Sequence, residues 1–180
     1  MTSMLKKKTD PTAFELEIAK IFEKTELGLG ALYFNSAKEI ELAEGKKVVV
    51  IYFPMPLIDD WRKVLTKVVN ELEKKLQGRS VFFVGNRTIL KKEKRGMFKP
   101  KGLQKRPRNR TLFAVYDEIL ADLVRPALIV GKRTNYTPAG TYIKVFVSKQ
   151  HQNALESKVE TISALYKKLT NRTVYFSFDN

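Results

Sequence analysis

Half of the residues from Lys91 to Arg110 are lysine or arginine, and Glu93 is the only acid among them. No run of that composition can join a hydrophobic core. Its sizeable apolar side chains are Met97, Phe98 and Leu103, and its like charges repel one another in water. The tract carries +9 of the chain's formal +15. Whatever core the protein has must therefore be assembled from the residues on either side. The segment itself is expected to stay open until a polyanion neutralises it.

A phosphate backbone is the polyanion that fits best. The candidate contacts are Lys91, Lys92, Lys94, Arg95, Lys99, Lys101, Lys105, Arg106, Arg108 and Arg110, with Thr111 as the N-cap of the helix that follows. A generic basic run would be a solvated loop or a nuclear-localisation patch. This one is internal, lies between two well-patterned halves and runs straight into a helix start. Cations crowded there conflict with the positive end of the helix dipole, and a bound anion relieves the conflict. Pro107 should keep Lys105 to Arg110 extended, so that alternate arginines reach successive phosphates. With Phe98 as the tract's only aromatic, the expected reading is of phosphates and shape rather than bases.

A chain of 180 residues that is 43% hydrophobic can bury a real core. We expect a single domain over 1–180, with a flexible tail at 1–9 and the basic segment at 91–110. The chain has no cysteine, so disulfides and thiolate chemistry are absent, and its one histidine, His151, removes histidine-rich metal sites. The start, Met1 to Lys8, contains no apolar stretch of the signal type, and no run approaches a membrane span. Neither secretion nor membrane insertion is expected. The acids form no site: Asp59-Asp60 suit the first turn of a helix, and Asp117, Glu118 and Asp122 read as a solvated helix face. Glu15 and Glu17 point apart. A metal-dependent nuclease needs converging carboxylates, so no catalytic residue, metal or cofactor is expected.

Asp10-Pro11 has the form of an N-cap with proline at the first helical position, and Phe14, Ile18, Ile21 and Phe22 recur at helical spacing. Gly28 and Gly30 break that helix. A second is expected from near Leu29 to Gly45, burying Leu32, Tyr33, Ala37 and Ile40. The unbroken β-branched and aromatic run Val48–Phe53 predicts a strand buried on both faces. Leu57, Trp61, Val64, Leu65, Val68, Leu72 and Leu76 trace a long helix. With Ser80–Val84 they complete a right-handed βαβ unit whose strands run parallel. Trp61 belongs to that apolar stripe and reads as core.

Beyond the tract, Leu112, Val115, Tyr116, Ile119, Leu120 and Leu123 mark a helix closed by Pro126. Leu128–Arg133 and Tyr142–Val147 flank a Pro138–Gly140 turn signal and predict a β-hairpin. In its second arm Ile143, Val145 and Val147 share one face, and Tyr142, Lys144 and Phe146 the other. Ser148 can cap a last helix carrying Leu155, Val159, Ile162, Leu165, Tyr166 and Leu169. Asn171 follows where a left-handed residue is wanted, and Val174, Phe176 and Phe178 alternate as a final strand. No internal repeat is evident. The expected class is α/β (mixed α+β), with one mixed sheet containing the βαβ unit and the hairpin, packed by about five helices.

Several stretches resemble the eukaryote-type S7e family of small-subunit ribosomal proteins. They are Phe14 to Ile18, Ser36 to Glu41, Glu71 to Lys75, Gln104 to Leu112 with Asp117 to Val124, Ile129 to Arg133 and Val159 to Thr170. These blocks occur in family order over nearly the whole chain. Tyr116 stands where the family often has histidine and Asn171 where it often has glycine. The resemblance implies a non-enzymatic protein of the small (40S-type) subunit that binds small-subunit ribosomal RNA and contributes to subunit assembly and rRNA maturation. Neighbouring ribosomal proteins would be its other partners, with no membrane and no small-molecule substrate. Its location would be the cytoplasmic ribosome, with a nuclear and nucleolar stage during assembly. From residues alone, an RNA-processing enzyme using the tract to hold substrate is the alternative, but it needs a catalytic constellation that the inventory lacks. A polybasic membrane-surface protein would need a lipid anchor or an apolar insertion face.

Hydrogen exchange on the free protein tests the reading of the tract. Amides between Lys91 and Arg110 should exchange fast while those of Val48–Phe53 are slow. Equal protection of the two would show that the tract folds without a polyanion.

Overall fold

A strand such as Val48–Phe53 is stable only when apolar surface covers it above and below, and the fold supplies both covers. A computed structural model describes residues 5–6, 10–23, 32–42, 45–76, 78–92, 105–138 and 140–179. The first half comprises helix α1 (Ala13–Glu23), strands β1 (Ser36–Glu41) and β2 (Lys47–Phe53), helix α2 (Ile58–Lys75) and strand β3 (Ser80–Gly85). The second comprises α3 (Leu112–Val124), β4 (Ile129–Thr137), β5 (Gly140–Ser148), α4 (Gln152–Glu156), α5 (Val159–Thr170) and β6 (Thr173–Asp179). Among the described residues no helix is long and apolar enough to cross a membrane.

The mixed α+β class holds, as do the hairpin and the parallel pairing of β2 with β3. The single mixed sheet does not: there are two three-stranded sheets, ordered β1-β2-β3 and β4-β5-β6. In each, the first pair is antiparallel and the second parallel. Apart from the short α4, the second half thus repeats the αββαβ order of the first, a repeat the sequence conceals because different side chains fill equivalent places.

Helices α3 and α5 separate the sheets. On one face of the first sheet, Val49, Ile51, Phe53, Val81 and Phe83 pack with Ile18 and Phe22 of α1 and with Trp61, Leu65, Val68 and Leu72 of α2. On the other, Val48, Val50, Phe82 and Val84 join Leu120 and Leu123 of α3 and Ile162, Leu165 and Tyr166 of α5. The same cluster takes in Ile143, Val145, Val147 and Val174 of the second sheet. One helical layer therefore buries a face of each sheet. Burial pushes the Tyr166 phenol upward and keeps it neutral in that core.

Three local expectations are corrected. The helix placed at 29–45 is not formed: 24–31 and 43–44 lie outside the described residues, and Ser36–Glu41 is strand β1, paired along its length with β2 from Ser36↔Tyr52 to Glu41↔Lys47. Its Ala-Lys-Glu composition favours helix, but the open edge of β2 offers a hydrogen-bonding partner at every second residue, and tertiary pairing overrides propensity. The cap of α1 is not Asp10 but Thr12. Thr12 N–H donates to Glu15 Oε2 at 2.9 Å and Glu15 N–H to Thr12 Oγ1 at 3.3 Å, a reciprocal capping box. Buried Glu15 also accepts from Ala37 N–H at 3.3 Å, which ties α1 to β1. The last helix is divided: Ser148 caps a 3-10 turn at Lys149–His151, and α4 and α5 follow. Among the described residues the helices still number five, because one was lost and one gained. Of the tail expected at 1–9, residues 1–4 and 7–9 lie outside the described residues, and Leu5 bridges Phe34.

Trp61 sits at the centre of the first core, 1% exposed, with the rings of Phe22, Phe53 and Phe83 at 5.9, 6.2 and 5.4 Å. Its indole N–H donates to the Tyr33 carbonyl at 3.3 Å. Trp61→Ala should cost about 3–5 kcal/mol of stability, measured by urea unfolding. A loss under about 1 kcal/mol would show that the indole is not a core element.

Candidate nucleic-acid interface

The basic tract leaves the fold after β3 and re-enters it at α3, so the contacts between those two elements fix its ends. Asp122, on α3, is buried. Its Oδ2 accepts from Gly85 N–H at 3.0 Å and from Arg87 Nη1 at 2.5 Å. The Arg87 guanidinium, itself only 7% exposed, reaches Glu118 Oε2 with its other nitrogen at 3.3 Å. Asp117 pairs with Lys132 of β4 at 2.6 Å. The solvated acidic face expected on α3 is thus an ion-paired one, and Asp122 is a buried anchor. Its place inside the apolar run Ile119–Val124 was the available signal. The partner, Arg87, lies 35 positions away in sequence and could not be paired with it from spacing.

Two further bonds close the base of the tract. Leu90 N–H donates to the Arg110 carbonyl at 3.0 Å, and Arg106 Nη1 donates to the Leu90 carbonyl at 2.7 Å. The ends of a twenty-residue cationic segment are thereby held side by side against their own repulsion. Lys91 and Lys92 are exposed immediately beyond Leu90, and Lys105, Arg108 and Arg110 are exposed on the returning strand. Lys94, Arg95, Lys99 and Lys101 lie outside the described residues.

The returning strand is not extended throughout. Pro107 is extended at φ −61°, ψ 147°, but Arg108–Arg110 form a 3-10 turn, so the regular alternation of arginines expected from Lys105 to Arg110 is lost. Arg106 is half-buried and committed to a carbonyl. Among the described residues, the Arg108 and Arg110 side chains have no ion-pair partner. Thr111 is the N-cap as expected: its Oγ1 accepts from Ala114 N–H at 3.4 Å and donates to the Arg108 carbonyl at 2.7 Å. Leu112 and Phe113, in the first turn of α3, are exposed as Arg108 and Arg110 are, and the first-turn N–H groups of a helix have no intrahelical acceptor.

Sequence reasoning missed one more cation. Arg172, at the start of β6, lies over the rings of Phe113 and Tyr116, with Cζ 4.2 and 5.1 Å from their centroids. Phe113 is 66% exposed. The first turn of α3 is therefore flanked by a guanidinium held on aromatic faces, a geometry suited to meeting phosphate or base. Among the described residues no group of histidines and carboxylates could hold a metal ion.

The family model described as Ribosomal protein S7e matches residues 2–178 of the chain. A protein of Anopheles gambiae called small ribosomal subunit protein eS7 is 45% identical over 176 residues, covering 94% of this chain and 91% of its own. Small ribosomal subunit protein eS7A of Saccharomyces cerevisiae is 42% identical over 174 residues, covering 92% and 90%. A relative from Arabidopsis thaliana, eS7z, is 44% identical over 166 residues, covering 92% and 83%.

Removing the anchor should be costly. Asp122→Ala leaves the buried Arg87 uncompensated and should destabilise the protein by about 3–5 kcal/mol, read from chemical unfolding. A cost under about 1 kcal/mol would mean that solvent reaches the pair and that it does not fix the tract.

Proposed function

Because the chain belongs to the Ribosomal protein S7e family, we propose that it is a non-enzymatic structural constituent of the small ribosomal subunit. It binds small-subunit ribosomal RNA through the clamped basic segment and the first turn of α3. In this reading 1–180 acts as one ribosomal-protein domain and contributes to subunit assembly and rRNA maturation. It contacts neighbouring ribosomal proteins and resides in the cytoplasmic ribosome after a nuclear and nucleolar assembly stage.

One observation carries the proposal: the Leu90–Arg110 closure, with Arg106 locked onto it, presents Arg108 and Arg110 exposed at the start of α3, with no ion-pair partner among the described residues. Guanidinium forks and helix amides both favour phosphate oxygens. Holding them in place before RNA arrives reduces the ordering cost of association. The contributors divide into those that touch RNA (Lys91, Lys92, Lys105, Arg108, Arg110, and Lys94, Arg95, Lys99 and Lys101 of the intervening stretch) and those that hold them (Arg106, Thr111).

The division makes a specific prediction for binding to subunit RNA. With roughly 6–10 phosphates neutralised, affinity should fall by about 10³–10⁵ between about 50 and 200 mM salt, on the scale set by duplex DNA. Arg108→Gln and Arg110→Gln should each lower the salt slope by up to about one. Lysine at either position keeps the charge, loses the fork and should fall between. Arg106→Gln should weaken binding with a smaller change of slope, since its guanidinium is spent on Leu90. An affinity indifferent to salt and to all three substitutions would remove the site from this segment. Absence of the protein from small subunits on sucrose gradients would overturn the ribosomal assignment itself.

A further inference from the structure

The second sheet has one face in the core and one on which no helix of the described residues packs. Strand register places Arg133, Tyr142, Lys144, Phe146 and Tyr175 together on the outer face, opposite Ile143, Val145, Val147 and Val174. The internal repeat makes this exposure informative. In the first half the corresponding outward residues of β2 and β3 are Val48, Val50, Phe82 and Val84, all buried beneath α3 and α5. In the second half no helix of the described chain stands there, and tyrosines and cations join a single Phe146 in place of the three valines and Phe82.

The rings are positioned by their neighbours. Tyr142 and Tyr175 meet edge to face, with centroids 5.3 Å apart at 84°, although Tyr175 is 58% exposed. Arg133 Cζ and Lys144 Nζ lie 5.4 and 5.3 Å from the Phe146 centroid. Beside the tyrosine pair is an open concavity of about 580 Å³, lined by Thr137, Gly140, Thr141, Tyr142, Thr173 and Tyr175. Along β4 (Ile129–Thr137), β5 (Gly140–Ser148) and β6 (Thr173–Asp179) the single acid is Asp179, at the far end of β6 opposite Ser148. Asp117, the nearest paired carboxylate, engages Lys132 on the opposite side of β4.

We propose that this face binds unpaired nucleotides of RNA. Tyr175 and Tyr142 supply stacking surfaces, the threonine hydroxyls of the concavity meet base edges, and Arg133 and Lys144 take the adjoining phosphates. The inference rests on the RNA-binding reading above and adds to it a site for bases, which the basic tract lacks. Rings interleaved with cations suit single-stranded nucleic acid, because every base has a stacking face and every linkage a charge. A protein partner would more simply have been met by the uncharged Val and Phe set that the first sheet carries at the same places.

Fluorescence anisotropy of the full chain with a labelled oligouridylate and with a fully paired RNA duplex tests the proposal. Tyr175→Ala, and the Tyr142→Ala/Tyr175→Ala pair, should weaken oligouridylate binding by about tenfold or more. Duplex affinity and its salt slope should stay unchanged, and Tyr175→Phe should bind as wild type. Tyr175→Ala alone is exposed enough to leave the fold intact, which circular dichroism verifies. Wild-type oligouridylate affinity in that variant overturns the inference, and so does equal loss on both RNAs. Intact RNA binding with lost co-sedimentation on small subunits overturns it in favour of a protein contact. A wild-type protein that binds neither RNA would instead sink the RNA-binding reading beneath it.

Discussion

The layer formed by α3 and α5 is the constraint on which the rest depends. Two small three-stranded sheets could not be stable separately, since each would expose an apolar face that a single hairpin-and-crossover unit cannot cover. Val48, Val50, Phe82 and Val84 need α3 and α5, and so do Ile143, Val145, Val147 and Val174. The helices of the second half therefore cover the first sheet as well as their own. That places α3 at the centre of the molecule, with its N-terminus at the surface, where the basic segment arrives.

From that position follows the way the cationic tract is managed. A segment of +9 would drive its own ends apart, yet Leu90 and Arg110 are bonded and Arg106 reinforces the closure. The opposing force comes from α3. Asp122 grips both Gly85 and Arg87, so the outgoing chain is fixed to the same helix that receives the returning one. Burying that pair costs desolvation, and its value lies less in net stability than in setting where the two strands of the tract emerge.

Much of this was legible, and the failures have identifiable causes. β2 was readable because a strand covered on both faces must be apolar at every position, and β5 because alternation at Ile143, Val145 and Val147 marks one covered face. Trp61 and Asn171 were readable from local spacing, and Asn171 does adopt the left-handed conformation, at φ 56°. β1 was not, because an edge strand can be stabilised by its ladder, and Lys38-Glu39-Ile40-Glu41 carries a helical composition. Asp122 was misplaced because a carboxylate pattern is local while its cation lies across the fold. Arg172 was invisible for the same reason, since only packing brings it to Phe113 and Tyr116. The basic tract itself was the plainest feature, because charge density does not depend on the fold. What the sequence did not separate was contact from support: Arg106 looks identical to Arg108 and Arg110, and only geometry commits it to a backbone carbonyl.

The duplicated topology sharpens the division between scaffold and surface. Two copies of one αββαβ arrangement begin with the same need, a cover for each sheet face. The first copy meets it twice, once with its own helices and once with those of the second. The second copy meets it once, and the arrangement ends there, because the described chain has no further pair of helices to lay down. An uncovered sheet face of Val and Phe would be an aggregation hazard. Tyr142, Lys144, Phe146 and Tyr175 keep the strand propensity of that set while adding hydroxyls and charge. The same substitution that makes the last layer tolerable in water also gives it the surface chemistry of a nucleotide platform. Tolerance of exposure and capacity for RNA are there two consequences of one choice of side chains.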